Sequence, residues 1–555
     1  MKSHVFGATE PPLIELTIGK FLEKRASETG EALALVSRHQ NIRWNWTEFD
    51  HEVNQLATGL LRLGLAPGDR VGIWAPNCAE WALAQFATAR TGLILVTINP
   101  AYRAWEAEFA LKNVGCKALI LARDFKTSNY LAMLNEIAPE LVTASPGVLQ
   151  SEKLPDLQIV ILIGNEPAPG CFSFGDVLAA PDPVALAKIS DELAATDAVN
   201  IQFTSGTTGL PKGATLTHRN ILNNGYFVGQ QLGLTSEDRI CIPVPLYHCF
   251  GMVMGNLAAL AHGAAMIYPE AGFDPLASLK SIAEERCTAL YAVPTMFIAM
   301  MSHERFCEFD ISSLRTGVMA GAPCPAATMQ EVIDQMHLSE ITICYGMTET
   351  SPVSFQSDRN DPLDLRVSTV GRIQPHCEVK IVNTNGDTLD IGEQGELCTR
   401  GYSVMQGYWN DPVKTAQVID AEGWMHTGDI ATIDKTGYCR ITGRIKDMII
   451  RGGENVYPRE IEEFLMTHPQ IVESQVFGIP DDKFGEQVIA WVTLRKGGTA
   501  TGKELRAWCG GRIAHYKVPL RFRVVASFPM TVTGKPQKFV MRDMELEQHS
   551  SETSG

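Results

Sequence analysis

An α/β protein is predicted, with a large N-terminal domain of strand and helix layers, a β-rich subdomain behind it and a small α+β C-terminal domain. Three observations carry this. From about residue 70 to 345 short apolar runs alternate with helical patterns, between about 360 and 443 short strands with turn signals take over, and past Gly443-Arg444 a compact set of helices and strands closes the chain. Strands alternating with helices imply parallel sheets covered on both faces. At 555 residues the chain also exceeds the roughly 250 to 300 residues that one core sustains.

In order, the run 70–74, the helical pattern 78–90 and the run 92–96 open the alternation. Runs 288–293, 315–319 and 340–344, with the amphipathic stretch 325–337, continue it. Runs 378–382, 395–399 and 438–442 form the β-rich segment. Helix 459–467, strands near 472–477 and 488–494, and helix 503–510 make the last unit. Segments 145–156 and 164–170 are expected as surface loops. No internal repeat is present.

Composition narrows the function. With 45% hydrophobic and 20% charged residues the chain is an ordinary globular protein. A net charge of -16 argues against nucleic acid as a partner, so any anionic ligand must be met by local cations. The 13 cysteines never form a Cys-x-x-Cys pair, which points to a reducing compartment without a disulfide frame or zinc site. The first thirty residues contain Glu10, Glu15 and Glu23 and no apolar core, unlike a secretory or transit segment. No run approaches the roughly 20 apolar residues of a membrane span. A cytoplasmic location is expected, and the polar tail does not end in Ser-Lys-Leu.

The most informative segment is Thr204-Ser-Gly-Thr-Thr-Gly-Leu-Pro-Lys-Gly-Ala214, directly behind the apolar run 198–203. Gly206 and Gly209 let backbone approach phosphate oxygens, Thr204, Ser205, Thr207 and Thr208 add hydroxyl donors, and Lys212 adds a positive charge. It is not a Walker loop, which ends in Gly-Lys-Ser/Thr where this chain has Pro211-Lys212-Gly213.

With this loop, Tyr345-Gly-Met-Thr-Glu349, Gly407-Tyr-Trp409, Thr427-Gly-Asp429, the stretch from Gly443 to Pro458 and Thr533-Gly-Lys535 stand in order along the chain. Together they resemble the adenylate-forming superfamily of acyl-CoA synthetases, luciferases and peptide-synthetase adenylation domains, over roughly residues 15 to 545. Tyr247-His-Cys-Phe-Gly251 and residues 447–458 resemble its medium-chain fatty acyl-CoA synthetases. The resemblance implies two βα-layered subdomains within an N-terminal domain 1–445, and a mobile C-terminal domain 446–555. It implies a carboxylic acid, ATP and coenzyme A as substrates, and magnesium carried with ATP. A homodimer is compatible with it.

The family's roles carry over residue by residue. Lys535 would bridge the acyl carboxylate and the α-phosphate, Glu349 and Ser205 would hold magnesium, and Thr348 would reach a phosphate. Tyr345 would lie against adenine, with Gly321, Ala322 and Pro323 bordering its other face. Asp429 would accept both ribose hydroxyls, with Arg444 approaching the same sugar. Lys446 matches the hinge, and Gly452 and Gly453 the loop lining the pantetheine tunnel. His248 matches a place near the acyl carboxylate. Gly346 stands where acetyl-specific relatives carry tryptophan, so an acyl site open to longer chains is implied. Met347 to Val353, residues 226–229, Met252 and Met319-Ala320 would line it.

Blander readings stand beside these. Lys535 could sit in a solvated turn, Glu349 could complement a helix start, Asp429 and Arg444 could be a plain ion pair, Gly452-Gly453 an ordinary turn and His248 a structural histidine. The leading function is an ATP-dependent acyl-CoA synthetase for a medium-chain or similarly apolar acid. Its rivals are a ligase loading a free-standing carrier protein, a luciferase-like oxygenase, and a non-catalytic nucleotide-binding regulator.

Overall fold

The computed structural model describes the chain except residues 165, 205–210, 323, 452–453, 482–483, 532–534 and 554–555, and except the side chains of 455 and 549–553. The chain divides into two compact units, one of Phe6–Glu378 with Thr399–Met425 and one of Met1–Val5, Val379–Cys398 and His426–Gly555.

The larger unit is built on two sheets. The first runs, in spatial order, Phe172–Ser173, Ile159–Leu162, Cys116–Leu121, Arg70–Trp74, Ile94–Thr97, Ala198–Thr204, Lys212–Thr217 and Gly407–Tyr408. It is parallel as far as Ala198–Thr204 and antiparallel beyond. Side chains alternate between faces along a strand. Ala118 and Ile120 accordingly enter one core, while Leu119 and Leu121 enter another. That double burial explains why these strands read as continuous apolar runs.

The second sheet runs Arg372–Ile373, Val353–Gln356, Glu340–Gly346, Thr316–Met319, Ala289–Ala292, Arg239–Cys241, Ala265–Tyr268, Leu33–Ser37 and Ile42–Asn45. Its interior strands are parallel and its two ends antiparallel. Helix Ala79–Thr91, capped by Cys78 and closed by Gly92 at φ 69°, is buried at every position except Glu80. Its apolar residues belong to the core shared by side chains of both sheets, while Gln85, Thr88, Arg90 and Thr91 are buried polar residues on the same helix. Segment 145–156 and the described residues of 164–170 are irregular as expected, yet Leu149 and Leu154 are buried in the core. The first loop is therefore anchored, where a free surface excursion was expected.

The other unit holds most of a five-stranded sheet ordered His4–Phe6, Cys377–Val382, Gly395–Gly401, Met425–Ile433 and Cys439–Arg444. After it, strands Ile471–Asp481 and Gly485–Leu494 pair antiparallel, and Arg521–Val524 adds a parallel neighbour. Helix Pro458–Met466 buries Ile461 and Leu465 against this sheet's core. Buried Glu462 accepts the Val476 N–H at 2.8 Å and the Lys538 ammonium at 2.6 Å, so its charge is met. The α/β architecture with a smaller α+β portion is the predicted one. Among the described residues no helix is long and apolar enough to cross a membrane.

Candidate active site

Thr204 ends one strand and Lys212 begins the next, and the two are paired across the antiparallel ladder. The stems of the phosphate loop are thereby fixed to the sheet. Ser205, Gly206, Thr207, Thr208 and Gly209 lie outside the described residues.

Glu349 arrives from the second sheet. Strand Glu340–Gly346 ends, a single turn Thr348–Thr350 follows, Ser351 takes φ 76°, and Val353–Gln356 returns antiparallel. Within this reversal the Met347 N–H and the Thr350 hydroxyl both donate to the Pro352 carbonyl, each at 2.9 Å. A Cβ on Gly346 would stand 1.8 Å from that same carbonyl oxygen. Glycine is required there by backbone packing, whatever room it leaves for an acyl chain.

The turn buries Thr348 and Glu349. Glu349 Oε1 accepts the Tyr408 hydroxyl at 2.9 Å and the Thr204 hydroxyl at 3.3 Å, and its carbonyl accepts the Met405 N–H at 2.9 Å. Lys212 Nζ lies 4.9 Å from the Tyr408 ring centroid, within cation–π range. Thr204 and Lys212 from one predicted motif and Glu349 from another are thus brought to one cluster. Tyr408 joins them without having been singled out. The Gly407-Tyr-Trp409 motif was its only signal in the sequence. Burial, then the neighbouring Glu349 charge, pushes the Tyr408 phenol well above its ordinary range, so it stays a donor. Cys249 was likewise missed. Its thiol donates to Gln202 Oε1 at 3.0 Å and also bonds with Thr348, and burial holds it protonated.

Strands Thr316–Met319 and Glu340–Gly346 are parallel neighbours, with Met319 beside Ile343. Their outgoing segments therefore leave from one edge: Gly321 at φ 87° with Ala322, and Tyr345 with Gly346. Carboxyl edges of parallel strands are where such sheets bind ligands. Pro323 lies outside the described residues. The Tyr345 ring also stands 6.1 Å from that of Phe355, so one side of it touches the core.

His248 is half-buried just before the π-helical run Phe250–Leu257, and its Nδ1 accepts the Phe250 N–H at 3.3 Å. π-Helical turns recur at functional sites. Of the apolar positions expected near an acyl chain, Met252 and Met319 are fully buried, and Met252 Sδ accepts from Gln202 at 2.8 Å. Tyr226 stacks on His262 at 5.3 Å, while Phe227 packs beside His376 and Tyr402. Phe227 is thus a core residue.

In the other unit Asp429 and Arg444 pair across adjacent strands, Nε to Oδ1 at 2.9 Å. Asp429 is buried and the Arg444 side chain is 65% exposed, so one guanidinium edge holds the carboxylate while the rest faces outward. Lys446 is exposed on the turn Ile445–Asp447. Lys535 is exposed at a reverse loop, its N–H donating to Thr531 Oγ1 at 2.9 Å and its carbonyl accepting the Thr531 N–H at 2.7 Å. Gly452 and Gly453 lie outside the described residues.

Residues 22–409 match the family described as AMP-binding enzyme, and residues 460–535 match the AMP-binding enzyme C-terminal domain. The mitochondrial medium-chain acyl-CoA ligase ACSF2 of Danio rerio is 46% identical over 552 residues, covering 98% of this chain and 91% of that one. YngI of Bacillus subtilis, named provisionally as an acyl-CoA synthetase, is 46% identical over 546 residues, 98% of this chain and 99% of that one. Among solved structures, the anthranilate CoA ligase AuaEII in complex with anthranoyl-AMP shares 26% identity and a TM-score of 0.84 over 98% of this chain and 99% of its own.

Proposed function

The chain belongs to the AMP-binding enzyme family and is an AMP-forming acyl-CoA synthetase, and on that premise we propose that it activates a medium-chain or similarly apolar carboxylic acid in the cytoplasm. The observation that carries the reading is the buried Glu349, held by Tyr408 and Thr204 beside Lys212. The apolar, methionine-rich positions Met252, Met319 and Met347 and the name of the Danio rerio relative support the acid's class.

In the first half-reaction a carboxylate oxygen attacks the α-phosphorus of ATP, and the bond to the departing pyrophosphate oxygen breaks. Negative charge grows on the transferred group, so preplaced cations lower the barrier. Lys212 and Lys535 are assigned to that charge, and Thr204, Ser205, Gly206, Thr207, Thr208, Gly209 and Thr348 to the phosphates. Tyr345, with Gly321, Ala322 and Pro323, is assigned to adenine, and Asp429 with Arg444 to the ribose.

The oxygen donors of Glu349 and Ser205 fit a hard divalent ion, since both bonds described above end on Oε1 of a buried carboxylate and Oε2 takes neither. Magnesium bound there would draw charge from the phosphate oxygens. Tyr408 keeps the carboxylate oriented, and its raised phenol cannot compete as an anion.

In the second half-reaction the thiol sulfur of coenzyme A attacks the acyl carbon, the bond to AMP breaks and the thiol proton leaves. His248, Gly346 and Met347 are assigned to the acyl group, Gly452 and Gly453 to the pantetheine arm. Lys446 is assigned as the hinge of a C-terminal domain 446–555, so that Lys535 serves only the first step.

Pyrophosphate release, measured with ATP and magnesium over acids from acetate to palmitate plus branched and aryl acids, tests this. The expected result is a maximum at intermediate length, with AMP and acyl-CoA formed only when coenzyme A is present. A maximum at acetate contradicts the substrate class. Release without thioester would point to a carrier protein as acceptor, and no release from any acid to a regulator.

A further inference from the structure

Glu396 and Cys398 are two residues apart on strand Gly395–Gly401, which puts both side chains on one face. Strand Met425–Ile433 lies alongside and brings His426 to the same face. His426 Nδ1 stands 2.9 Å from Glu396 Oε2 and 3.5 Å from Cys398 Sγ. One donor atom from each residue lies within 4.8 Å of the others.

We propose that Glu396, Cys398 and His426 form a binding site for one borderline-soft divalent cation of the zinc class, distinct from the magnesium assigned to Glu349. With bonds of about 2.3 Å to sulfur and 2.0 Å to nitrogen, a tetrahedral ion holds those two atoms about 3.5 Å apart. The thiol and imidazole are therefore already spaced for it, and the Nδ1–Oε2 separation needs to open by only about half an ångström on the same geometry. A sulfur, nitrogen and oxygen donor set selects zinc-like ions over magnesium, which prefers oxygen alone.

The surroundings suit an ion as well. Cys398 is buried, while the side chains of His426 and Glu396 are 34% and 21% exposed, so an ion can reach the donors from solvent. Glu396 Oε1 accepts the Gly428 N–H at 3.2 Å, which fixes the carboxylate with Oε2 turned to the other two donors. Three protein donors leave a fourth position for water. On binding, the metal–sulfur bond replaces the S–H bond and that proton goes to solvent, while the imidazole offers Nδ1 and keeps its proton on Nε2.

Titration of the full-length chain with Co2+, without ATP or acid, tests this independently of the synthetase reading. One equivalent is expected to give near-ultraviolet thiolate-to-metal absorption and tetrahedral visible bands, to survive excess Mg2+ and to be displaced by Zn2+. Cys398→Ser should lose the thiolate band, and His426→Asn should weaken binding by at least about tenfold. Cys307→Ser, at an exposed thiol, should change nothing, and circular dichroism should show all three variants folded. A wild-type chain without the thiolate band, or a folded Cys398→Ser that keeps it, overturns the proposal.

Discussion

Tyr408 donates to Glu349 at 2.9 Å while its ring faces Lys212, so one side chain conditions both an anion and a cation. Tyr408→Phe keeps the ring and removes the donor. Leaving a buried carboxylate short of one bond costs about 1–3 kcal/mol, so kcat/KM for pyrophosphate release should fall about tenfold to a hundredfold. The magnesium concentration for half-maximal rate should rise, and the unfolding midpoint should fall as the same penalty weakens the fold. An unaltered magnesium dependence would remove Tyr408 from this role. Thr204 and Lys212 were legible from the composition of their own loop, and Glu349 from the family resemblance of its motif. Tyr408 and Cys249 were not. Their meaning depends on strand Gly407–Tyr408 pairing with Lys212–Thr217 and on Cys249 meeting Thr348, contacts between residues far apart in sequence.

Helix His218–Gln231 shows how an element can make stability depend on pH. His218 at its first position is fully buried, its Nδ1 accepting the Ile18 N–H at 3.1 Å and its Nε2 having no hydrogen-bond partner among the described residues. Burial lowers its pKa from 6.5 to about 3. Between those values the unfolded chain binds the proton and the folded chain does not, so stability rises with pH. The contribution is complete above pH 6.5 and is lost as the pH falls towards 3. Denaturant titration at pH 7 and pH 5 should show the wild type losing about 2 kcal/mol more than His218→Gln. Equal losses would contradict a neutral buried imidazole. The elements named from the sequence were mostly placed within a residue or two, as with predicted run 340–344 and observed strand Glu340–Gly346, whereas helix His218–Gln231 was not named. The π-helical run Phe250–Leu257 was not, because an apolar stretch looks the same whichever hydrogen-bond spacing it adopts. Nor was the burial of Leu149 and Leu154, since loop composition hides which apolar residue turns inward. The same limit concealed the Glu396, Cys398 and His426 group. Without a Cys-x-x-Cys pair the sequence offers no metal spacing, and only the alignment of two strands composes one.

Across the whole molecule, a chain of net charge -16 handles ATP, a carboxylate and coenzyme A, all anionic. Cations placed locally and different residues assigned to the two half-reactions reconcile these charges. The order of motifs along the chain made the family readable, whereas the division into Phe6–Glu378 with Thr399–Met425 and the remainder needed the fold. Strand pairing, not sequence order, decides which parts of the β-rich segment belong together. Lys535 is assigned to adenylation and not to thioester formation, and assaying both half-reactions of Lys535→Ala checks that division. Pyrophosphate release from acid and ATP should fall by roughly 100-fold or more, while acyl-adenylate supplied with coenzyme A is still converted to thioester. Equal loss of both half-reactions in a folded variant would contradict the separation of roles.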